Sequence, residues 1–133
     1  MDSGSTEGAF HGTILYIEDN DSNIELVEQI LAARRSNVRL ISNKTGMQAL
    51  PLALEYTPDL ILLDLDLPDI HGSKVALNLQ ENEQTRSIPI VIISADAMHH
   101  QVEKLIEAGA RKYLAKPLHV LDYLKVIDEF IGK

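Results

Sequence analysis

Four polar groups, far apart in the chain, each follow directly on an apolar run. Glu18-Asp19 follows TILYI (13–17), Asp64 closes LILLD (60–64) with Asp66 just beyond, Ser94 closes IPIVIIS (88–94), and Lys116 follows RKYLA (111–115). Crowded carboxylates repel one another and are costly to desolvate, so an acidic cluster behind apolar runs calls for a cation. A few hard oxygen ligands, with water completing the shell, suit Mg²⁺. Zinc would call for His or Cys. The chain has no Cys, and its histidines are scattered over the first residues (His11), a turn (His71) and helix starts (His99, His100, His119). An Asp carboxylate beside Mg²⁺ can act as a nucleophile toward phosphorus and form an aspartyl-phosphate. The phosphoryl group has three equatorial oxygens to satisfy. Mg²⁺, the Lys116 ammonium and the Ser94 hydroxyl would take one each, alongside backbone N–H groups.

Each residue also has a plainer reading. Glu18-Asp19 can simply open the first helix, where acids favour the dipole. Ser94 can be an N-cap, and Lys116 a solvated loop charge. Together these readings require four coincidences at four matching positions, which favours a site.

The elements that must position these groups follow from the hydrophobic pattern. TILYI, VRLIS (38–42), LILLD, IPIVIIS and RKYLA read as strands; LILLD is the most continuous, as a central parallel strand covered on both faces requires. Helical spacing starts at Ser22, with Ile24, Val27 and Leu31 on one face. Further helices are expected from about 45 to 56, with Pro51 kinking or shortening this one, from 73 to 84, from Met98 to a Gly109 terminator, and through Val120, Leu124, Ile127 and Ile131. Asp69 in LPDIHG reads as turn chemistry on the way to Gly72. Strict βα alternation gives right-handed crossovers and a parallel sheet. The expected fold is therefore α/β, a doubly wound five-stranded parallel sheet in order 2-1-3-4-5 with five helices. Ligands in such sheets bind outside the carboxyl ends of the strands, which is where all four polar groups fall.

Composition bounds the function. The 133 residues are 45% hydrophobic and 24% charged, with 12 Lys plus Arg against 20 Asp plus Glu and a net charge of -8. That balance argues against nonspecific binding to nucleic acid or anionic membranes. Absence of Cys rules out disulfides and thiolate chemistry and fits a cytoplasmic protein. The opening MDSGSTEGAFHG lacks a signal-peptide apolar core. Residues 1–12 are expected to be a disordered leader or cloning remnant, and 13–133 one domain. No apolar run approaches the ~20 residues of a membrane span.

From about Thr13 to Ile131 the chain resembles the receiver domain of two-component response regulators. The matching motifs are YIEDN, PDLILLDLDLP, IISA and YLAKP, in order and at the right strand ends. The resemblance implies a flavodoxin-like receiver fold with Asp64 as phosphoacceptor. It implies that Glu18, Asp19, Asp64 and the backbone carbonyl of Asp66 form the Mg²⁺ site, and that Ser94 and Lys116 hold the phosphoryl group. Tyr113 falls where the family has its switch aromatic, although a plain strand aromatic is the simpler alternative. In the family the hydroxyl residue moves toward the phosphate and the ring turns inward, which remodels the face of the fourth helix, fifth strand and fifth helix. The implied partners are a sensor histidine kinase or histidine phosphotransfer protein, and a downstream protein target on that face. No nucleic acid and no membrane are implied. The chain would be no enzyme beyond its own phosphotransfer and autodephosphorylation.

EDNDSNIELV, TRSIPIVIISADAM and EAGARKYLAKPL look like receivers attached to hybrid sensor kinases. The end of the chain soon after the last helix, and the lack of a basic pattern in VLDYLKVIDEFIGK, suggest a stand-alone receiver or one excised from a hybrid kinase. Asp66 and Asp96 depart from the commonest pattern, and the Asp66 side chain is expected to alter phosphoryl lifetime by orienting water or repelling the anion.

Two rivals remain. LLDLDLPD also resembles the DxD signature of haloacid-dehalogenase-like phosphatases, with Asp64 as nucleophile and Asp66 as general acid. Pro68, however, stands where that family expects Thr or Val, and Glu18-Asp19 precedes Asp64 instead of following it. The other rival is an interaction module with a receiver fold and no phosphorylation.

Overall fold

All five apolar runs become parallel strands in a computed structural model that describes residues 11–95 and 99–131. Most of the expected leader, Asp96 and Met98 lie outside the described residues. The strands are β1 (Gly12–Ile17), β2 (Val38–Asn43), β3 (Leu60–Asp64), β4 (Ile90–Ser94) and β5 (Lys112–Ala115). Between and after them come α1 (Asp21–Arg34), α2 (Ala49–Tyr56), α3 (Gly72–Glu81), α4 (His99–Glu107) and α5 (Val120–Phe130). The sheet order is β2-β1-β3-β4-β5, with every neighbouring pair parallel. β1 begins one residue before the expected boundary, because Gly12 already pairs with Val38.

β3 and β4 are buried at every position, which explains their uninterrupted apolar runs. Side chains alternate across the sheet and divide the core in two. Ile14, Tyr16, Leu60, Leu62, Val91 and Ile93 pack with Ile24, Val27, Leu124 and Ile127 of α1 and α5. Leu15, Ile17, Ile61, Leu63 and Ile92 pack with residues of α2, α3 and α4 such as Ala53, Leu79 and Leu105. No helix among the described residues is long and apolar enough to cross a membrane.

Helix ends depart from the expectation where local hydrogen bonds compete. Pro51 shortens the second helix at its start: residues Gly46–Gln48 form a 3₁₀ turn and α2 begins at Ala49. Pro51 thus sits in the first turn, where its missing N–H has no helical partner to lose. α3 stops at Glu81, three residues early, because Asn82 is extended and its side chain accepts from the Gln84 N–H at 2.8 Å. α4 ends as expected at Gly109, whose φ of +124° suits glycine. There Gly109 N–H donates to the Ile106 carbonyl (3.0 Å) and Ala110 N–H to that of Leu105 (2.9 Å), the double closure of a Schellman motif.

Asp69 does more than turn its own loop. Its two carboxylate oxygens accept from the N–H groups of Gly46 (2.8 Å) and Met47 (3.0 Å), so it caps the 3₁₀ turn across space. The Gly46 bond, opposed by desolvation and helped by the Met47 bond, holds the carboxyl below its ordinary value.

Candidate functional site

Register brings the acidic residues together. β1 and β3 pair Tyr16 with Leu62 and Ile17 with Leu63, so Glu18 and Asp64 leave the sheet side by side. Alternation turns both toward the α1/α5 side, and both are fully buried. Asp19, next along, is exposed. Ligand oxygens of Glu18, Asp19 and Asp64 all lie within 4.8 Å of one another.

Lys116, at the end of β5, reaches across to this pair. Its Nζ lies 2.7 Å from Asp64 Oδ2 and 3.8 Å from Glu18 Oε1. The loop is fixed from behind by the Lys116 N–H donating to the Ser94 carbonyl (3.0 Å). The other Asp64 oxygen, Oδ1, accepts from the Asp66 N–H at 2.9 Å. One further constraint holds the end of β3. A Cβ on Gly72 would lie 2.5 Å from Leu65 Cα and 2.7 Å from the Asp64 carbonyl oxygen, so α3 can start against this backbone only with glycine there.

The electrostatics follow from burial. Desolvation, then the hydrogen bond and charge of Asp64, push the Glu18 carboxyl up to about 7. Lys116 and the Asn23 amide act in the opposite sense and are outweighed. For Lys116, partial burial pulls the pKa down, but the hydrogen bond to Asp64 and the charges of Asp64, Glu18 and Asp66 hold it above the ordinary lysine value. Three carboxylates facing one ammonium leave an excess of negative charge at a set of hard oxygen donors. That donor set fits a hard divalent cation, and Glu18, Asp19 and Asp64 can hold a metal.

The structure places the remaining expected residues around this centre. Ser94 is buried at the end of β4, opposite Ala115 in the register. The Tyr113 hydroxyl on β5 donates to the Ser94 carbonyl at 3.1 Å, and its ring packs against the α3/α4 half of the core. Asp66 is exposed, and its Oδ2 accepts a long bond from the Ala95 N–H at 3.4 Å. A cleft of about 320 Å³ opens beside the site, lined by Asn23, Ala95, Lys116, Pro117, Leu118 and Tyr123.

Several partners of the site escaped the sequence reading. The Asn23 Nδ2 donates to Glu18 Oε1 at 3.0 Å, whereas the stretch EDNDSNIELV that contains it had served only as a subtype clue. The Asn20 N–H donates to Glu18 Oε2 at 3.3 Å while its side chain caps α1 through the Asn23 N–H. Tyr16 and Tyr123 meet beneath Glu18. A tyrosine inside an otherwise aliphatic strand was the available signal, since a buried hydroxyl needs a partner.

Comparison with known proteins agrees with this geometry. The family model for the response regulator receiver domain matches residues 14–128. The polar-differentiation response regulator DivK of Brucella ovis is 33% identical over 120 residues, covering 90% of this chain and 96% of DivK. Among solved structures, the receiver domain of the sensor histidine kinase PA1611 from Pseudomonas aeruginosa, crystallised with magnesium coordinated in its active site cleft, superposes with a TM-score of 0.78. It is 28% identical and covers 90% of this chain and 97% of its own. The Mn²⁺-bound form of response regulator Rcp1 superposes with a TM-score of 0.75 at 28% identity, over 89% of this chain and 90% of its own. With four motifs at the ends of four strands, an acidic cluster facing a lysine and a family match across nearly the whole fold, the chain belongs to the response regulator receiver domains of two-component signalling.

Proposed function

We propose that Asp64 is the phosphoacceptor of this receiver, taking a phosphoryl group from a phosphohistidine on a sensor histidine kinase or histidine phosphotransfer protein. The observation that carries this reading is the buried Asp64 carboxylate held 2.7 Å from the Lys116 ammonium and beside Glu18 and Asp19. An Asp64 oxygen attacks phosphorus, the P–N bond breaks, and the imidazole leaves with the bonding electron pair and takes up a proton. Lys116 offsets charge on the acceptor and on one phosphoryl oxygen, while the Ser94 hydroxyl and the Ala95 N–H serve the others. Glu18, Asp19, Asp64 and the Asp66 carbonyl would hold Mg²⁺, which would supply positive charge to offset the anionic acceptor during transfer. The hard-oxygen donor set and the magnesium in the related PA1611 receiver support this choice of ion.

The switch runs through Ser94 and Tyr113, already linked by the Tyr113 hydroxyl on the Ser94 carbonyl. Movement of Ser94 toward the phosphoryl group alters that bond and with it the α4-β5-α5 face, where a downstream protein docks. The Asp66 carboxylate competes with the phosphoryl group for the Ala95 N–H and so influences phosphoryl lifetime. The chain catalyses only its own phosphotransfer and autodephosphorylation.

Incubation with acetyl phosphate and Mg²⁺, followed by intact mass measurement, tests this reading. A single phosphate adduct is expected in the wild type and none in Asp64→Asn. Absence of an adduct in the wild type would favour an interaction module, and steady turnover of a phosphate monoester would favour a phosphatase.

A further inference from the structure

Tyr16 is one of two tyrosines in the otherwise aliphatic buried core on the α1/α5 side, the other being Tyr123. Tyr16 lies on β1 between Ile14 and Glu18 on the same face and is fully buried. Its hydroxyl lies 3.3 Å from Glu18 Oε1 and 3.1 Å from the hydroxyl of Tyr123 on α5, itself 2% exposed. The two rings meet edge to face, with centroids 6.4 Å apart and planes at 67°. Each hydroxyl has one proton to give. While Glu18 is ionised it can only accept, so Tyr16 donates to it and Tyr123 donates to Tyr16. The hydrogen bonds thus run in one direction, from α5 through β1 to the carboxylate. Asn23 and Asn20 supply the other donors to Glu18, at 3.0 and 3.3 Å. A carboxylate gripped this way is held in one orientation before any cation arrives.

We propose that Tyr16 and Tyr123 are positioning residues: a hydroxyl pair that fixes the Glu18 carboxylate for cation binding and ties the start of α5 to the state of the acidic site. This rests on the reading of Glu18, Asp19 and Asp64 as the Mg²⁺ site. Tyr123 also lines the cleft beside the site. Tyr16 acts directly on Glu18 and Tyr123 only through Tyr16, so the two contribute in series.

The test is Mg²⁺ titration of the wild type, Tyr16→Phe, Tyr123→Phe and the double variant, followed by calorimetry and near-ultraviolet circular dichroism. Phenylalanine keeps the ring and its packing, and far-ultraviolet dichroism verifies the fold of each variant. The chain has no Trp, so its four tyrosines dominate the near-ultraviolet signal. Tyr16→Phe is expected to weaken Mg²⁺ binding by about 10-fold, as loss of a partner of a metal ligand does. Tyr123→Phe should weaken it less, and the double variant no more than Tyr16→Phe. Mg²⁺ should change the tyrosine dichroism of the wild type and leave that of Tyr16→Phe nearly unchanged. Unchanged affinity in folded Tyr16→Phe, beside a wild type that binds, would overturn the positioning role alone. A wild type that fails to bind Mg²⁺ would overturn the metal site and the positioning role together. Equal, additive losses from the two single variants would overturn the series arrangement.

Discussion

Glu18 bears the electrostatic cost of the site. Its carboxyl is buried beside Asp64 and pushed up to about 7, so between its ordinary value of 4.5 and 7 the native state holds a proton that the unfolded chain has released. Stability of the metal-free protein therefore falls as pH rises through that window, and the full penalty is present above it. Glu18→Gln removes the penalty. In urea melts without metal, the variant should be more stable than wild type by about 2–3 kcal/mol at pH 8 and show no such advantage at pH 4.5. Equal differences at both pH values would contradict this account of Glu18. Glu18, Asp19, Asp64, Ser94 and Lys116 were all legible because each stands at the end of an apolar run. Tyr123 was not, because it meets Tyr16 from 107 residues away, and a single Tyr within helical spacing reads as ordinary core.

At the scale of elements, two glycines separate fold from site. In Gly72→Ala the new Cβ meets backbone at Leu65 and Asp64, neither of which can yield without moving the end of β3. A loss of about 1–3 kcal/mol is expected, together with slower phosphorylation by acetyl phosphate. Gly109→Ala forces alanine to a φ of +124° at the end of α4, against the flexible Gln80 amide. It should cost about 1–2 kcal/mol and leave the phosphorylation rate close to wild type. Equal phosphorylation rates in Gly72→Ala and wild type would show that α3 does not fix the acceptor strand. The strands and the Gly109 terminator could be read from composition and period. The shortening of α2 was announced by Pro51, but the capping of the turn before it by remote Asp69 and the early end of α3, where the Asn82 side chain competes for the backbone, could not be read.

At the scale of the whole molecule, parallel order and register gather four distant segments at one end of the sheet. That order was legible because strict βα alternation leaves few topologies. The site it creates is better made in the native state than in the unfolded chain, so Mg²⁺ should stabilise by mass action. A hundredfold excess over the dissociation constant contributes about 2.7 kcal/mol. Thermal melts with millimolar Mg²⁺ should show a higher Tm in wild type and a much smaller rise in Asp64→Asn, and an equal rise in both would place the ion elsewhere. One carboxylate in this crowd, that of Asp64, is expected to carry the phosphoryl group. Borohydride reduction after treatment with acetyl phosphate and Mg²⁺ converts an aspartyl-phosphate to homoserine, which peptide mass spectrometry locates. Homoserine is expected at position 64 and at no other aspartate; homoserine at position 19 or 66 with position 64 unmodified would show that Asp64 is not the acceptor.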